Sequence, residues 1–337
     1  MMIEATAVSP RQSVHQQNGV WNGSAIMYTF FAYGGGTALL LSSSWVMNLL
    51  GVLFLTHSLV YSAYLSHDLM HGSLFKTRRW NALLGSMMLW LNGGCYYGFK
   101  ALADQHIAHH VDRVDVFTFD IPAAIQMLPR PLRWGIISME WLYFPVVSFW
   151  ARWQSVLRRA MGDWEKRSRV ALLIVLRATL FTGLGLLSLK AILLYFLAYI
   201  GMITVLRFVD AFQHTYEAFL PGTPLPKRDR NHEQAHTFSN LLSRRYPWLN
   251  LLLLNFGYHN AHHAVMACPW YGLPELDQKL AESHQEQYIS VVQQLKNYHR
   301  FRIKRLFIGQ GQARDQKGHL TPDCFYGAVD VSFLTLY

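Results

Sequence analysis

The chain has 337 residues and a formal net charge of +10. It is 52% hydrophobic and only 15% charged, against roughly 25% charged residues in soluble domains. The basic residues flank apolar stretches and form no single patch, which argues against a nucleic-acid partner and for a membrane surface.

Three cysteines (Cys95, Cys268, Cys324) lie far apart and point to neither a disulfide frame nor a zinc ribbon. The polar start, 1–23, has no apolar signal core and no small-residue cleavage pattern, so secretion is not expected. Four segments read as membrane spans, each of which needs about 20 mostly apolar residues. The first, 24–41, carries a glycine triplet (Gly34, Gly35, Gly36) that allows close helix packing. The second, 45–66, follows the turn Ser42, Ser43, Ser44. The stretch 81–97 is apolar but runs into Asn92, Gly93 and Gly94, and is predicted to be re-entrant or in-plane. The stretch 134–150 contains Glu140 and Pro145 and mixes aromatic with basic residues, which suits a helix lying in the interface. Segments 170–188 and 191–208 are the third and fourth spans, a tight hairpin with Lys190 between them. The run 249–256 is too short to span. A helix from 276 to about 296 and a polar tail follow, and CFYGAVDVSFLTLY at the end suggests no function. No repeat and no low-complexity linker divides the chain. The organisation expected is one membrane catalytic domain over 24–276, with a C-terminal cytosolic helix and tail over 277–337.

Loop charge gives the orientation. The region 76–169 is rich in Lys and Arg, whereas the two opposite turns carry only Lys190. By the positive-inside bias both termini and the middle region face the cytoplasm, in an inner or cell membrane. The fold class expected is an all-α integral membrane protein, with four transmembrane helices and a cytosolic helical cap.

Histidine carries the chemistry. Eight of the 16 fall into three clusters: His67 and His71 in HDLMH, His106, His109 and His110 in HIAHH, and His259, His262 and His263 in HNAHH. On a helix, positions i, i+3 and i+4 share one face, so each cluster offers two or three imidazoles to one point. Imidazole is the commonest metal ligand and suits iron, zinc, copper and nickel. So many ligands exceed one four-coordinate zinc and suit two metals. Two irons in a nitrogen-only site leave room for dioxygen, and activated oxygen removes hydrogen from an unactivated C–H bond. With four spans, every cluster reaches the same membrane face. His214, just past the fourth span, is a ninth candidate ligand. Asp210, four residues earlier, is a candidate to hold a metal-bound water or orient an imidazole, the alternative being a charge pair with Arg207. Asp68, Asp104 and Asp112 beside the clusters, and His236 in a further HxxxH, are candidates of the same supporting kind; His232 reads as structural. His57 is expected to bond a neighbouring helix. His15, His284, His299 and His319 read as surface. Arg177, inside the third span, is expected to snorkel to the cytoplasmic interface or to meet a polar lipid group.

HDLMHGSLF, DQHIAHH and NFGYHNAHH resemble the three histidine boxes of the membrane fatty-acid desaturase and hydroxylase superfamily, the third as in acyl-lipid and sphingolipid desaturases. The resemblance covers about 28–276. It implies two irons bound by His67, His71, His106, His109, His110, His259, His262 and His263, with His214 as the further histidine after the fourth helix. It implies O2 as co-substrate, a lipid or acyl-carrier substrate, and a mushroom of four helices under a cytosolic cap. Asp210 stands where some members have a water-holding asparagine, a departure. No HPGG haem motif occurs, so electrons are expected from a separate ferredoxin, cytochrome or reductase. The activity expected is acyl desaturation. Alternatives are a hydroxylase or ketolase (alkane, carotenoid or lipid) on the same scaffold, and a metal-transporting membrane protein.

Overall fold

The computed structural model describes residues 17–116, 120–284, 287–315 and 317–329, and these are predominantly helical. His15, the side chain of His284 and the end of the chain from 330 lie outside the described residues. Helices α1 (Gly19–Leu40) and α2 (Trp45–Met70) form an antiparallel hairpin. Asn18 caps α1 by accepting from the N–H groups of Val20 and Trp21. At the turn, Asn48 Nδ2 donates to the carbonyls of Leu39 and Ser42, both at 3.0 Å. At the other end Asn22 Nδ2 donates to the Leu74 carbonyl at 2.8 Å, so α1 lies along the whole of α2. Of the glycine triplet only Gly36 sits at the contact. A Cβ there would stand 2.9 Å from Leu55 N, and one at Gly51 would stand 2.9 Å from the Gly36 carbonyl. Gly34 and Gly35 face open space.

Helix α3 (Arg78–Asn92) stops at Gly93, which takes φ 78°. Its 15 residues rise about 22 Å, short of the ~30 Å hydrocarbon core of a bilayer. Helix α4 (Phe99–Asp112) bears the HIAHH cluster, and strand β1 (Asp115–Val116) then pairs in parallel with β2 (Ala218–Phe219). Helices α5 (Ile121–Met127), α6 (Arg130–Trp141) and α7 (Val146–Ala160) follow. The single helix expected over 134–150 is therefore two. Pro145 breaks it, because proline removes an N–H and clashes with the preceding turn, and Tyr143 takes φ 63° at the break. Glu140 is buried there, accepting from the Val147 N–H (2.8 Å) and from two nitrogens of Arg207 (3.1 Å each).

Helices α8 (Trp164–Leu187) and α9 (Leu189–Asp210) form the second hairpin. Ser188 alone separates them and caps α9 through the Ala191 N–H. Lys190 lies in the first turn of α9 and donates to the Ser42 carbonyl at 2.6 Å, tying the two hairpin turns together. Among the described residues three helices, α2, α8 and α9, are long and apolar enough to cross a membrane. Helix α1, with 22 residues, is as long as α9 but is not among the three. Helix α8 buries almost none of its surface; Leu172, Val175, Leu176 and Leu180 are exposed, as a lipid-facing helix requires.

The rest of the chain folds back at the end where α9 finishes: α10 (Arg230–Ala235), a 3-10 turn over Pro247–Leu253, α11 (His259–Ala264), α12 (Leu273–His284), α13 (Val291–Arg300) and α14 (Arg305–Ile308). The one helix expected over 276–296 is two, because Ser290 starts α13 by accepting from the Gln293 N–H. The last described residues are packed. Phe325 is fully buried with its ring 5.3 Å from that of Phe212, and the Ala328 N–H donates to the Ala211 carbonyl at 2.8 Å.

Gly36→Leu is expected to push α1 off α2 and destabilise the protein by about 1–3 kcal/mol. Gly34→Leu is expected to stay within about 0.5 kcal/mol of the parent. Thermal unfolding of the two variants in one detergent checks this, and equal midpoints would contradict the assigned contact.

Candidate metal centre

Each histidine cluster arrives on a short rigid element. His67 lies in the last turn of α2 and His71 is its C-cap. His106, His109 and His110 are the buried face of α4. His259, His262 and His263 sit on the six-residue α11, and His214 lies four residues beyond α9. All nine rings are buried except that of His71, which is half-buried.

Among the described residues the nitrogens converge in two main sets, and a third group of His110, Glu233 and His263 overlaps both. His67, His71, His106, His110 and His262 each bring a ring nitrogen within 4.8 Å of the others, and so do His109, His214 and His263. Within the first set the Nε2–Nε2 distances are 2.9 Å (His71–His106), 3.2 Å (His106–His110) and 3.3 Å (His110–His262). Within the second they are 3.3 Å (His109–His214) and 2.7 Å (His214–His259), which adds His259. Two nitrogens at right angles about a metal, each about 2.1 Å from it, stand about 3 Å apart. The spacing is that of ligands sharing a centre.

Protonation agrees. Burial, with the neighbouring imidazoles, holds His106, His110, His214, His259, His262 and His263 well below the usual imidazole range. Burial, aided by His109, pushes His71 down to about 3. Neutral imidazole is the form that binds metal.

Three carboxylates orient rings from behind. Asp68 Oδ1 is 3.2 Å from His67 Nδ1, while its Oδ2 accepts from the Trp270 N–H at 3.1 Å. Asp115 Oδ1 lies 3.0 Å from His109 Nδ1. Glu233 Oε1 lies 2.9 Å from His263 Nδ1, and its Oε2 accepts from Arg113 Nε at 3.0 Å. A ring whose Nδ1–H is donated to a carboxylate has an Nε2 that can only accept. The Nε2 of His263 is buried without a hydrogen-bond partner, as a metal-directed lone pair would be. Such rings facing one another nitrogen to nitrogen call for a cation between them.

The supporting residues expected from the sequence divide. Asp68 joins the centre. Asp104 does not: it is exposed and pairs with Lys100 at 2.5 Å, because α4 turns it away from the histidine face. Asp112 ends α4 half-exposed, off the buried face. The His236 imidazole is outside both sets. It stacks on His232 (4.0 Å between centroids), and its carbonyl accepts from the Thr215 N–H, next to His214. Asp210 is buried at the end of α9 and interacts with Tyr64, which stacks on Phe256, whose ring stands edge-on to His67. Arg207 pairs with Glu140. His57 bonds Tyr28 and the Leu252 carbonyl, as its place in α2 led one to expect. Asp115 and Glu233 were missed. Asp115 reaches His109 from a strand, where helical spacing gives no hint. Glu233 has one signal, its place between His232 and His236 in NHEQAH. Also missed was the segment 325–329: Phe325 and Gly327 press on Ala211 and Phe212, just ahead of His214.

Glu233→Gln is expected to weaken metal binding about 10- to 100-fold, the usual cost of losing a partner behind a ligand. Competition against a graded chelator measures it, and unchanged retention would remove Glu233 from the centre.

The fatty acid desaturase family model matches residues 43–294, more than half of the chain and a stretch that holds all nine histidines. A beta-carotene ketolase of Paracoccus sp. (strain N81106 / MBIC 01143) is 26% identical over 236 residues, covering 68% of this chain and 77% of that protein. The family is of the di-iron type, and the histidine groups here could hold metal ions. With this centre and a match of that extent, the chain belongs to the fatty acid desaturase family and is an oxygen-using oxidoreductase.

Proposed function

We propose that the protein is a membrane-bound, O2-dependent fatty acyl desaturase that introduces a double bond into an acyl chain. His67, His71, His106, His110 and His262 hold one iron, and His109, His214, His259 and His263 the other. The observation that carries this reading is the convergence of nine imidazoles from four separate parts of the chain into two adjoining sets. Two irons bound there supply oxygen activation strong enough to remove hydrogen from a methylene, which acid–base side chains cannot do. Asp68, Asp115 and Glu233 fix the tautomer and direction of the rings they touch. Asp210, buried at the end of α9 beside Tyr64, holds a metal-bound water or orients an imidazole.

A mostly apolar cavity of about 340 Å³ adjoins Asp115 and Tyr216, which touch His109 and His214 respectively. Its wall includes Ile121, Phe219 and Leu220, suited to a hydrocarbon. It also includes Arg305, a buried guanidinium whose Nε and Nη1 have no hydrogen-bond partner. Buried donors left unpaired are costly, so an occupant that brings an oxygen acceptor is favoured. This supports an acyl group, with its carbonyl or carboxylate, over a plain carotene. The likeness to a ketolase favours the second reading, a hydroxylase or ketolase on the same scaffold.

In this reading α1 also spans the membrane, which makes four spans, and the segments bearing the histidines form a cap on the cytoplasmic face, where Lys and Arg concentrate. A separate ferredoxin, cytochrome or reductase supplies electrons. Expression in a host followed by mass spectrometry of its lipids tests the assignment. Desaturation is expected to give acyl chains lighter by two hydrogens, and His109→Ala is expected to lose both iron and product. Products that gain oxygen would replace desaturation with the hydroxylase or ketolase reading.

A further inference from the structure

Four guanidinium groups gather around the loop between α3 and α4. Arg177 Nη1 donates to the Trp90 carbonyl (2.7 Å), and Arg152 Nη2 to that of Asn92 (3.3 Å). Arg169 Nη2 donates to the Cys95 carbonyl (3.0 Å), and Arg159 Nη2 to that of Tyr97 (3.1 Å). The carbonyl end of α3 draws cations to this point, but it does not neutralise four of them. Among the described residues no carboxylate forms an ion pair with any of the four. Asp163 feels Arg159 at longer range, yet its carboxylate is bound to Lys166 at 2.5 Å.

Two of the four converge on a cavity. A Cβ at Gly93 would stand 3.4 Å from an Nη2 of Arg152, 3.4 Å from an Nη2 of Arg177 and 3.0 Å from the Tyr199 hydroxyl. Arg152 is only 7% exposed, and its Nη1 donates to that hydroxyl at 2.5 Å. These groups line a cavity of about 300 Å³ between α7, α8 and α9. Its rim is apolar and open: Trp153, Ile174 and Phe196 line it and are 49%, 40% and 45% exposed. Helices α8 and α9 are two of the three able to cross a membrane, so the rim meets acyl chains. None of the nine histidines, and none of the carboxylates behind them, lines this cavity. Like charges held this close and away from water need a counter-ion. The occupant that fits has an anionic head and a hydrocarbon body.

We propose that this cavity binds an anionic phospholipid, its phosphate between Arg152 and Arg177 and an acyl chain over the aromatic wall of Phe181 and Phe196. Arginine suits the task, because its planar fork matches phosphate oxygens. Basic pockets between transmembrane helices are a recurrent seat for anionic head groups. The site accounts for Arg177, which the reaction does not use. It also steadies the loop that leads into α4 and its three histidines.

The test uses purified, iron-loaded full-length protein in detergent, supplied in separate arms with phosphatidylglycerol, phosphatidylcholine or inorganic phosphate. Native mass spectrometry and thermal unfolding are read together. Phosphatidylglycerol alone is expected to stay bound, one per chain, and to raise the unfolding temperature. Arg177→Gln removes a charge-assisted contact and is expected to weaken retention about tenfold. Ala178→Trp fills the cavity from the exposed face of α8, leaves all four arginines in place, and is expected to abolish retention with wild-type iron content. Equal binding of the two lipids, or full retention by Ala178→Trp, would overturn the proposal. An equal thermal shift from inorganic phosphate would also overturn it, because the site would then be one for a soluble anion.

Discussion

Burial of neutral imidazole is the constraint on which the rest of the structure depends. A neutral ring offers one donor and one acceptor. Where a carboxylate takes the donor, the other nitrogen is left as a lone pair. Asp68, Asp115 and Glu233 do this for His67, His109 and His263. Facing lone pairs at about 3 Å repel unless a cation lies between them. The same burial that keeps the rings uncharged makes an unfilled site costly, so metal binding and local folding are coupled at this centre.

The helices serve that constraint. The α1–α2 hairpin, closed where Gly36 meets Gly51, brings His67 and His71 to one end of the bundle. The α8–α9 hairpin returns the chain to the same end for His214. The buried pair of Glu140 and Arg207 fastens α6 to the last turn of α9. Burying an ion pair brings little net stability, but removing one partner is costly. Phe325 and Gly327 pack against Ala211 and Phe212 just beyond that turn, and Arg207 Nε donates to the Val329 carbonyl at 2.9 Å. A segment, 325–329, that reads as part of a featureless tail thus supports the stretch leading to His214.

Charge is sorted as sharply as polarity. Around the histidines the carboxylates are few, and those that orient rings are buried. At the α3–α4 loop the guanidiniums sit together, with no ion-paired acid among the described residues, beside an apolar wall. The molecule therefore carries two centres of opposite need. One gathers lone pairs and calls for cations; the other gathers cations and calls for an anion.

Much of this was legible in the sequence. HDLMH, HIAHH and HNAHH mark their histidines as candidate ligands because helical periodicity is local, and of the four spans read from hydropathy three correspond to helices long and apolar enough to cross a membrane. Glu140 and Pro145 announced that 134–150 would not form one spanning helix, although not that it would split in two. The partners behind the rings were not legible. Asp104 and Asp112 are near in sequence and far in direction, while Asp115 and Glu233 arrive from a strand and a six-residue helix. Which glycine of three touches α2, which nitrogens pair, and which arginines share a cavity depend on contacts between distant segments. Sequence determines which residues can bind a metal, since that is the chemistry of the side chain. Only the tertiary structure decides which of them meet, since that depends on where the packed helices end.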